Sequence, residues 1–263
     1  MTFLRNVAAL VEKEWRHYFG SPIAYVALTI WTLLFGAFYV LVFNRFLLVS
    51  MRSAQQMEFG GAPKLSLNEW VISGVLHNMA VVALFITPML TMRLFAEEKR
   101  QGTLELLATA PITGLQIILG KFLGALSLFA LMIAAGLLNF LLLWRYATVA
   151  PEWKPLATGA LALLLVGACF IAVGLFLSTL TRNQIVAGTA TFGVLLGFWI
   201  LGWMDDPSAG PVTRVFAYLG LLTHLEELMK GVLDLKDVVF YLSFVVFGLF
   251  LAHQSVESQR WRA

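Results

Sequence analysis

Six long apolar runs, each without Asp, Glu, Lys or Arg, constrain the fold of this chain more than any other feature. A membrane-spanning helix needs about 20 consecutive, mostly apolar residues, whereas a core helix of a soluble protein is usually shorter. Only 13% of the residues are charged, about half the share found in soluble domains. We therefore predict an all-α integral membrane protein with six spanning helices. The runs cover residues 23–43, 70–92, 122–144, 155–181, 183–204 and 238–256.

Charges between the runs predict the orientation of the chain, because Lys and Arg accumulate on the cytoplasmic side of a membrane. With both termini on one side, that side carries ten of the 18 Lys and Arg residues, and the other side carries eight. The 15 acidic residues divide as six and nine, which sharpens the contrast in net charge. We expect both termini in the cytoplasm and a single transmembrane domain comprising residues 1–263.

Residues 1–21 are predicted to form an interfacial elbow helix, because apolar side chains recur at helical spacing opposite a charged face. Two roles stay open for this helix: anchoring alone, or participation in coupling. Ser21 as N-cap and Pro22 at the first helical position then begin the first span. The apolar side chains belong to Phe3, Leu4, Val7, Leu10, Val11, Trp15, Tyr18 and Phe19.

Two segments are predicted to lie outside the cell. Residues 44–69 form the first outer loop. Residues 205–236 are expected to form one or two short outer-leaflet helices, because they are helically periodic but too charged to span. His224 beside Glu226 and Glu227 would allow a metal or proton site, but a solvated helix face is favoured, because no second ligand cluster accompanies them.

The runs hold no group suited to catalysis or to ion-coupled transport. Carriers driven by proton or sodium gradients use ionisable groups inside the membrane, and the six runs contain no charged side chain. The sequence has no HExxH, CxxC or GxSxG motif, and its single cysteine, Cys169, lies in an apolar run. Energy for any transport should therefore enter from outside the spans, and we expect no bound metal.

Two glycine pairs at four-residue spacing predict close contact between helices. Such pairs occur within a helix bundle as often as between subunits, so both placements stay open. The pairs are Gly120 with Gly124, and Gly193 with Gly197.

Residues 93–121 form a polar segment between the second and third runs. Gly102 is expected to end one short helix, and Thr103 to begin a second that reaches Pro111 with Leu104 and Leu107 on one face. The second helix would either insert into a groove of a partner protein or belong to a solvated loop. The charged residues at the centre are Glu97, Glu98, Lys99 and Arg100.

Helix starts on the same side of the membrane are predicted from capping boxes, in which Ser or Thr precedes Glu or Gln by three residues. Thr113 with Gln116 should begin the third span, and Thr181 with Gln184 the fifth.

The polar segment resembles the coupling-helix signature of the type-2 ABC exporter permeases, in which this helix docks into a cleft of a separate ATPase subunit. The matching residues are Glu97, Glu98, Gly102, Thr103, Glu105, Leu107 and Pro111, followed by Gly120 and Lys121. The resemblance implies a coupling region at residues 93–113 whose docking residues are Glu97, Glu98, Arg100, Gly102, Thr103, Glu105 and Leu107. A secondary contact with the ATPase would come from Thr181, Arg182, Asn183 and Gln184.

Further blocks resemble the gliding-motility-associated branch of these permeases. They are SPIAY at 21–25, the stretch at 78–105, HLEELMKGVLDLKDVVFYLS at 224–243, and the ending at 255–262. The resemblance implies a permease subunit of an ATP-driven export complex in the cytoplasmic membrane of a bacterium. A force-transmitting membrane scaffold is the alternative, and a secondary carrier is less favoured.

The same resemblance implies which partners and cofactors to expect. The partners would be two copies of an ABC ATPase, a second copy of this chain or a related permease, and the lipid bilayer. No nucleic acid is expected. The chain itself should bind no cofactor, because ATP and Mg would be held by the ATPase.

Overall fold

The computed structural model describes residues 2–57, 68–103, 112–146, 152–204 and 210–260. These residues form helices and no strand. A π-helical turn, Asn68–Ile72, precedes α3, and a 3-10 turn, Gly202–Met204, follows α8. The α-helices are α1 (Thr2–Phe19), α2 (Pro22–Met57), α3 (Ser73–Thr91), α4 (Ala96–Gln101), α5 (Gly114–Leu137), α6 (Asn139–Tyr146), α7 (Trp153–Leu180), α8 (Gln184–Leu201), α9 (Pro211–Tyr218), α10 (Leu225–Met229) and α11 (Leu235–Arg260).

Six stretches of these helices are long and apolar enough to cross a membrane, which confirms the predicted all-α fold with six spans. Each falls on one of the apolar runs of the sequence. The stretches are Pro22–Ser53, Trp70–Gln101, Gly114–Leu141, Trp153–Leu180, Gln184–Leu201 and Leu235–Ser258.

One helix boundary differs from the prediction, and another follows a predicted cap rather than the edge of its apolar run. Helix α2 continues to Met57, so residues 44–57 are helical and the prediction of a loop there is wrong. Long side chains such as Arg45 and Arg52 favour helix and can extend toward water, so charge alone does not end this helix. Helix α5 begins at Gly114, eight residues before the apolar run, because Thr113 provides its cap.

Helix caps explain these starts. Gln116 N–H donates to Thr113 Oγ1 over 3.3 Å, and Thr113 N–H donates to Gln116 Oε1 over 3.0 Å, which confirms the capping box. Ser21 Oγ accepts a bond from Ile23 N–H. The box predicted at Thr181 is wrong, because Asn183 is the N-cap of α8 and its Oδ1 accepts from Ile185 N–H over 2.9 Å.

Helix α7 lies at the centre of the bundle and packs against α3, α5, α8, α10 and α11. Every residue from 166 to 175 is buried, including Cys169. Helices α2 and α8 lie at the outside, and few of their side chains are buried, so lipid can contact them.

The bundle has two ends. At one end α4 lies beside residues 181–183, and we call this the charged end. At the other end a turn joins the short helices α9 and α10, a segment that we call the hairpin, and Ser73 at the start of α3 donates to the Met229 carbonyl over 2.9 Å. We call this the hairpin end.

The hairpin confirms that short helices occupy part of the segment 205–236. The interpretation of His224 as part of a solvated helix face is wrong, however. His224 is 7% exposed, whereas Glu226 and Glu227 are exposed as expected. The difference arises because His224 lies in the turn before α10 and faces α11.

Candidate functional site

At the charged end, close packing of α1 against α5 positions the residues of the candidate site. A Cβ atom at Gly120 would lie 2.4 Å from Leu10 Cβ, and one at Gly124 would lie 2.7 Å from Glu14 Cβ. These distances are far below van der Waals contact, so the two helices can approach this closely only with glycine at both positions. The pair Gly120 and Gly124 therefore packs α1 onto the third span.

The second glycine pair has a different environment. A Cβ atom at Gly193 or Gly197 would meet no other atom within 4 Å. Within the described part of the chain, this pair makes no helix contact and leaves an open strip on α8.

Lys121 is the centre of a buried ion network. Its side chain is 2% exposed, and its Nζ lies 2.9 Å from Glu14 Oε1 and 2.9 Å from Glu98 Oε1. Lys13 Nζ lies 2.7 Å from the same Glu98 oxygen. The Lys121 Nζ also lies 5.2 Å from the centroid of the Phe95 ring, within reach of a cation–π contact. A buried charge needs such partners, so the network ties α1, α4 and α5 together.

Ser178 fixes the start of α4 to the end of α7. Its Oγ accepts from Phe95 N–H over 3.0 Å and from Ala96 N–H over 3.1 Å, and it donates to the Met92 carbonyl. The first N–H groups of a helix have no partner within the helix, so Ser178 acts as a cap from another element. Lys99 Nζ adds a bond to the Thr179 carbonyl.

Gly102 ends α4 as predicted, with φ at 72° in the left-handed region that glycine adopts readily. Thr103 follows and its Oγ1 lies 3.4 Å from the Glu98 carbonyl oxygen. Residues 104–111, which include Glu105, Leu107 and Pro111, lie outside the described residues. The predicted second helix of the coupling region therefore stays a prediction.

The structure brings the two predicted contact regions together. Helix α4 packs against both α7 and α8, so residues 181–184 lie beside it. Arg100, Gly102, Arg182 and Asn183 are exposed, and Thr103, Thr181 and Gln184 are partly exposed. Glu97 and Glu98 instead turn inward, and the Glu98 side chain is 12% exposed.

A cavity of about 190 Å³ lies between α1 and α4. Four buried polar atoms on its wall have no hydrogen-bond partner among the residues that the structure describes, namely Tyr18 OH, Arg93 Nε, Glu97 Oε2 and Glu98 Oε2. Burial, and to a smaller extent the charge of Glu14, raises the pKa of Tyr18, so its hydroxyl stays protonated and can donate. A polar cavity of this size suits several ordered water molecules.

The sequence pattern does not predict Glu14 or Ser178 as members of this site, and it indicates Lys121 only as a match to the family signature. Glu14 lies in the same helical row as Val7, Leu10 and Tyr18, which are buried apolar positions. A charged residue in such a row is the one sequence signal that could have indicated a buried partner.

Replacing Ser178 with Ala should lower the free energy of unfolding by about 1–2 kcal/mol, because two N–H groups of α4 lose their acceptor. Thermal unfolding of the detergent-solubilised protein, followed by circular dichroism, measures the change. Ser243→Ala is the matched control, because that hydroxyl donates to a carbonyl at the exposed surface of α11. Equal effects of the two substitutions would contradict a capping role for Ser178.

Within the described ranges, no three or more His, Cys, Asp or Glu side chains are grouped to hold a metal ion. The contacts at the charged end hold a short helix in place. A short helix is fixed by ion pairs to α1 and α5 and by a serine cap to α7, and it leads through a glycine into the predicted coupling segment.

Comparison with known proteins identifies the family. No curated protein matches the chain. The family model described as ABC-2 family transporter protein matches residues 8–221, which is most of the chain and includes α4 and the Lys121 network. The protein thus belongs to the ABC-2 family of transporter proteins, as a multi-pass membrane permease subunit of an ABC transporter.

Proposed function

We propose that this permease couples ATP hydrolysis by a separate ABC ATPase to export, and that α4 receives the motion of the ATPase. The observation that carries the proposal is the fixation of α4 by the buried Lys121 network and by Ser178. A helix held to three other helices moves them when it is pushed. On this proposal the charged end and both termini lie in the cytoplasm.

The exposed residues beside α4 form the proposed docking surface for the ATPase. Arg100 and Arg182 present positive charge there, and Thr103 leads into residues 104–111, where Glu105 and Leu107 complete the surface. Glu97 and Glu98 act from inside, since they hold α4 to α1 and α5 rather than facing a partner. Movement of α4 would then shift α1, α5 and α7 as one body, which suits a two-state opening of the bundle.

The proposed complex contains two ATPase copies, which hold ATP and Mg, and a second copy of this chain or a related permease. Its proposed location is the inner membrane of a bacterium. The sequence blocks that resemble the gliding-motility-associated branch support that finer assignment, and the family match supports only the wider family.

The double charge reversal Arg100→Glu with Arg182→Glu tests the docking surface. We expect it to reduce stimulation of the co-purified ATPase by about tenfold or more, because like charges would meet across the interface. Membrane insertion and thermal stability should stay unchanged, since both residues are exposed. ATP hydrolysis by the complex in nanodiscs is the measurement.

Lys154→Glu is the matched control, because Lys154 is an exposed cation at the start of α7, at the hairpin end. Loss of stimulation in the double variant but not in the control supports docking at the charged end. Full stimulation in both overturns it. Purification of a stable complex that contains no ATPase would instead favour the force-transmitting scaffold.

A further inference from the structure

A second buried ion pair lies at the hairpin end, where it joins the turn before α10 to the first turn of α11. His224 Nδ1 lies 2.7 Å from Asp237 Oδ1. The residues are 7% and 2% exposed, respectively. The site lies at the opposite end of the bundle from the Lys121 network and has no part in the docking surface.

The contact made by the second ring nitrogen, Nε2, determines how many protons the His224–Asp237 pair must hold. His224 Nε2 lies 2.9 Å from the carbonyl oxygen of Tyr218, and a carbonyl can only accept a hydrogen bond. The proton of that bond therefore belongs to Nε2. The short contact between Nδ1 and Asp237 needs another proton, because two lone pairs would otherwise face each other.

Loss of this second proton must break one of the two contacts. A neutral imidazole carries one N–H, so it can donate to Asp237 or to Tyr218 but not to both. Whichever bond remains, the other becomes a repulsive contact between two lone pairs. The two contacts of the His224 ring can therefore exist together only when the pair holds both protons.

Aromatic rings favour the positive charge of the protonated ring. The His224 ring stacks on Phe240, with 4.1 Å between centroids and 26° between planes, and it meets the Tyr218 ring edge-on at 4.8 Å. A cation against an aromatic face is stabilised by the ring quadrupole. Tyr241 OH donates to the Leu221 carbonyl over 2.7 Å, which makes a second link between α11 and the hairpin.

Protons can reach the site through a cavity of about 240 Å³ that contacts both members of the pair. The cavity wall includes Glu227 and Lys236, whose side chains are 52% and 61% exposed, so it opens to water.

Other titratable groups surround the pair. Glu227 pairs with Lys230, and Lys236 with Asp234. The remaining groups near the pair are two tyrosines, Tyr218 on α9 and Tyr241 on α11, and the thiol of Cys169 on α7, which lies 3.5 Å from the Tyr241 carbonyl oxygen. On α3, His77 lies in a separate cavity with Glu226.

We propose that His224 and Asp237 form a proton-binding site that holds the α9–α10 hairpin against the last span and releases it when the proton is lost. Histidine is the side chain that ordinarily changes charge between about pH 5 and 8. The turn at 219–224 is therefore attached to α11 at the lower pH and released from it as the pH rises, while α10 stays packed on α7 and α3. In the orientation proposed above, the site senses the extracytoplasmic pH.

The test uses the purified full-length protein in nanodiscs, without an ATPase, so its outcome does not depend on the proposed docking. The ¹⁵N signals of the His224 ring, assigned by their loss in His224→Gln, report its protonation between about pH 5 and 8.5. Hydrogen–deuterium exchange of residues 219–234, corrected for the intrinsic effect of pH, reports hairpin attachment.

We expect a doubly protonated ring at the lower pH and about a tenfold loss of exchange protection as the ring loses its proton. Asp237→Asn should move this step to lower pH, because the paired negative charge is gone, and His224→Gln should abolish it. His77→Gln and His253→Gln should leave it unchanged. The proposal would be overturned if the His224 ring of the wild-type protein stayed neutral throughout, a result that does not depend on the folding of any variant. It would also be overturned if His224→Gln lost exchange protection at the same pH as the wild-type protein.

Discussion

Exchanging Lys121 for Met is expected to lower the free energy of unfolding by about 3–5 kcal/mol, because Glu14 and Glu98 would remain buried without their shared cation. Met has nearly the same length and shape, so the change removes charge more than volume. Unfolding of the detergent-solubilised protein in a denaturant series, followed by circular dichroism, measures the loss. Stimulation of the ATPase should fall with it, since α4 loses its ion pair with α5.

Lys13→Met provides the comparison, because Lys13 contacts the same oxygen of Glu98 from a side chain that is 49% exposed. An exposed ion pair contributes about 0–1 kcal/mol. Adding Glu14→Gln to Lys121→Met should recover part of the stability, because Glu14 has lost its cation, whereas Glu98 still contacts Lys13. If Lys121→Met costs no more than Lys13→Met, the network is not the joint between these helices.

Gly120→Val is expected to separate α1 from α5 and to destabilise the protein by about 1–3 kcal/mol, because the new side chain overlaps Leu10. The overlap begins at Leu10 Cβ, which cannot rotate away because it is bonded to the backbone. Displacement of α1 would also withdraw Glu14 from Lys121, which adds to the loss. Thermal unfolding and protease cleavage within residues 1–19 are the measurements.

Gly193→Val tests whether the loss comes from contact rather than from a β-branched residue in a helix. Both glycines lie inside spanning helices, but a Cβ at Gly193 meets no atom within 4 Å. We expect the isolated chain to tolerate this change. Equal destabilisation by the two variants would show that helix propensity, and not the packing of α1, explains the effect.

The parts of the site that the sequence predicted correctly are local ones. Gly102 ends α4 and Thr113 with Gln116 begins α5, because a left-handed turn and a capping box each depend on residues a few positions apart. The predicted cap of α8 is wrong because Thr181 and Asn183 are both good caps, and the helix begins directly after Asn183, whose side chain accepts from Ile185 N–H.

The parts that the sequence could not predict depend on distant partners. Glu14 belongs to a charged stretch whose pattern is typical of a solvent-exposed helix face. It is buried beside Lys121 only because α5 approaches α1 closely at two glycines. His224 likewise has its partner 13 residues away, across the turn into α11. Helical periodicity indicates which residues share a face, but it does not indicate which helix covers that face.

The pairing of Glu14 with Lys121 also fixes an order of assembly. The two residues are 107 positions apart, so α1 leaves the ribosome long before its partner exists. At about 5–20 residues per second, the wait is on the order of 5–20 s. Throughout that interval Glu14 remains in contact with water, and the exposed Phe3, Leu4 and Trp15 can keep α1 at the membrane surface. The first helix to be made can therefore reach its final place only after the third span exists.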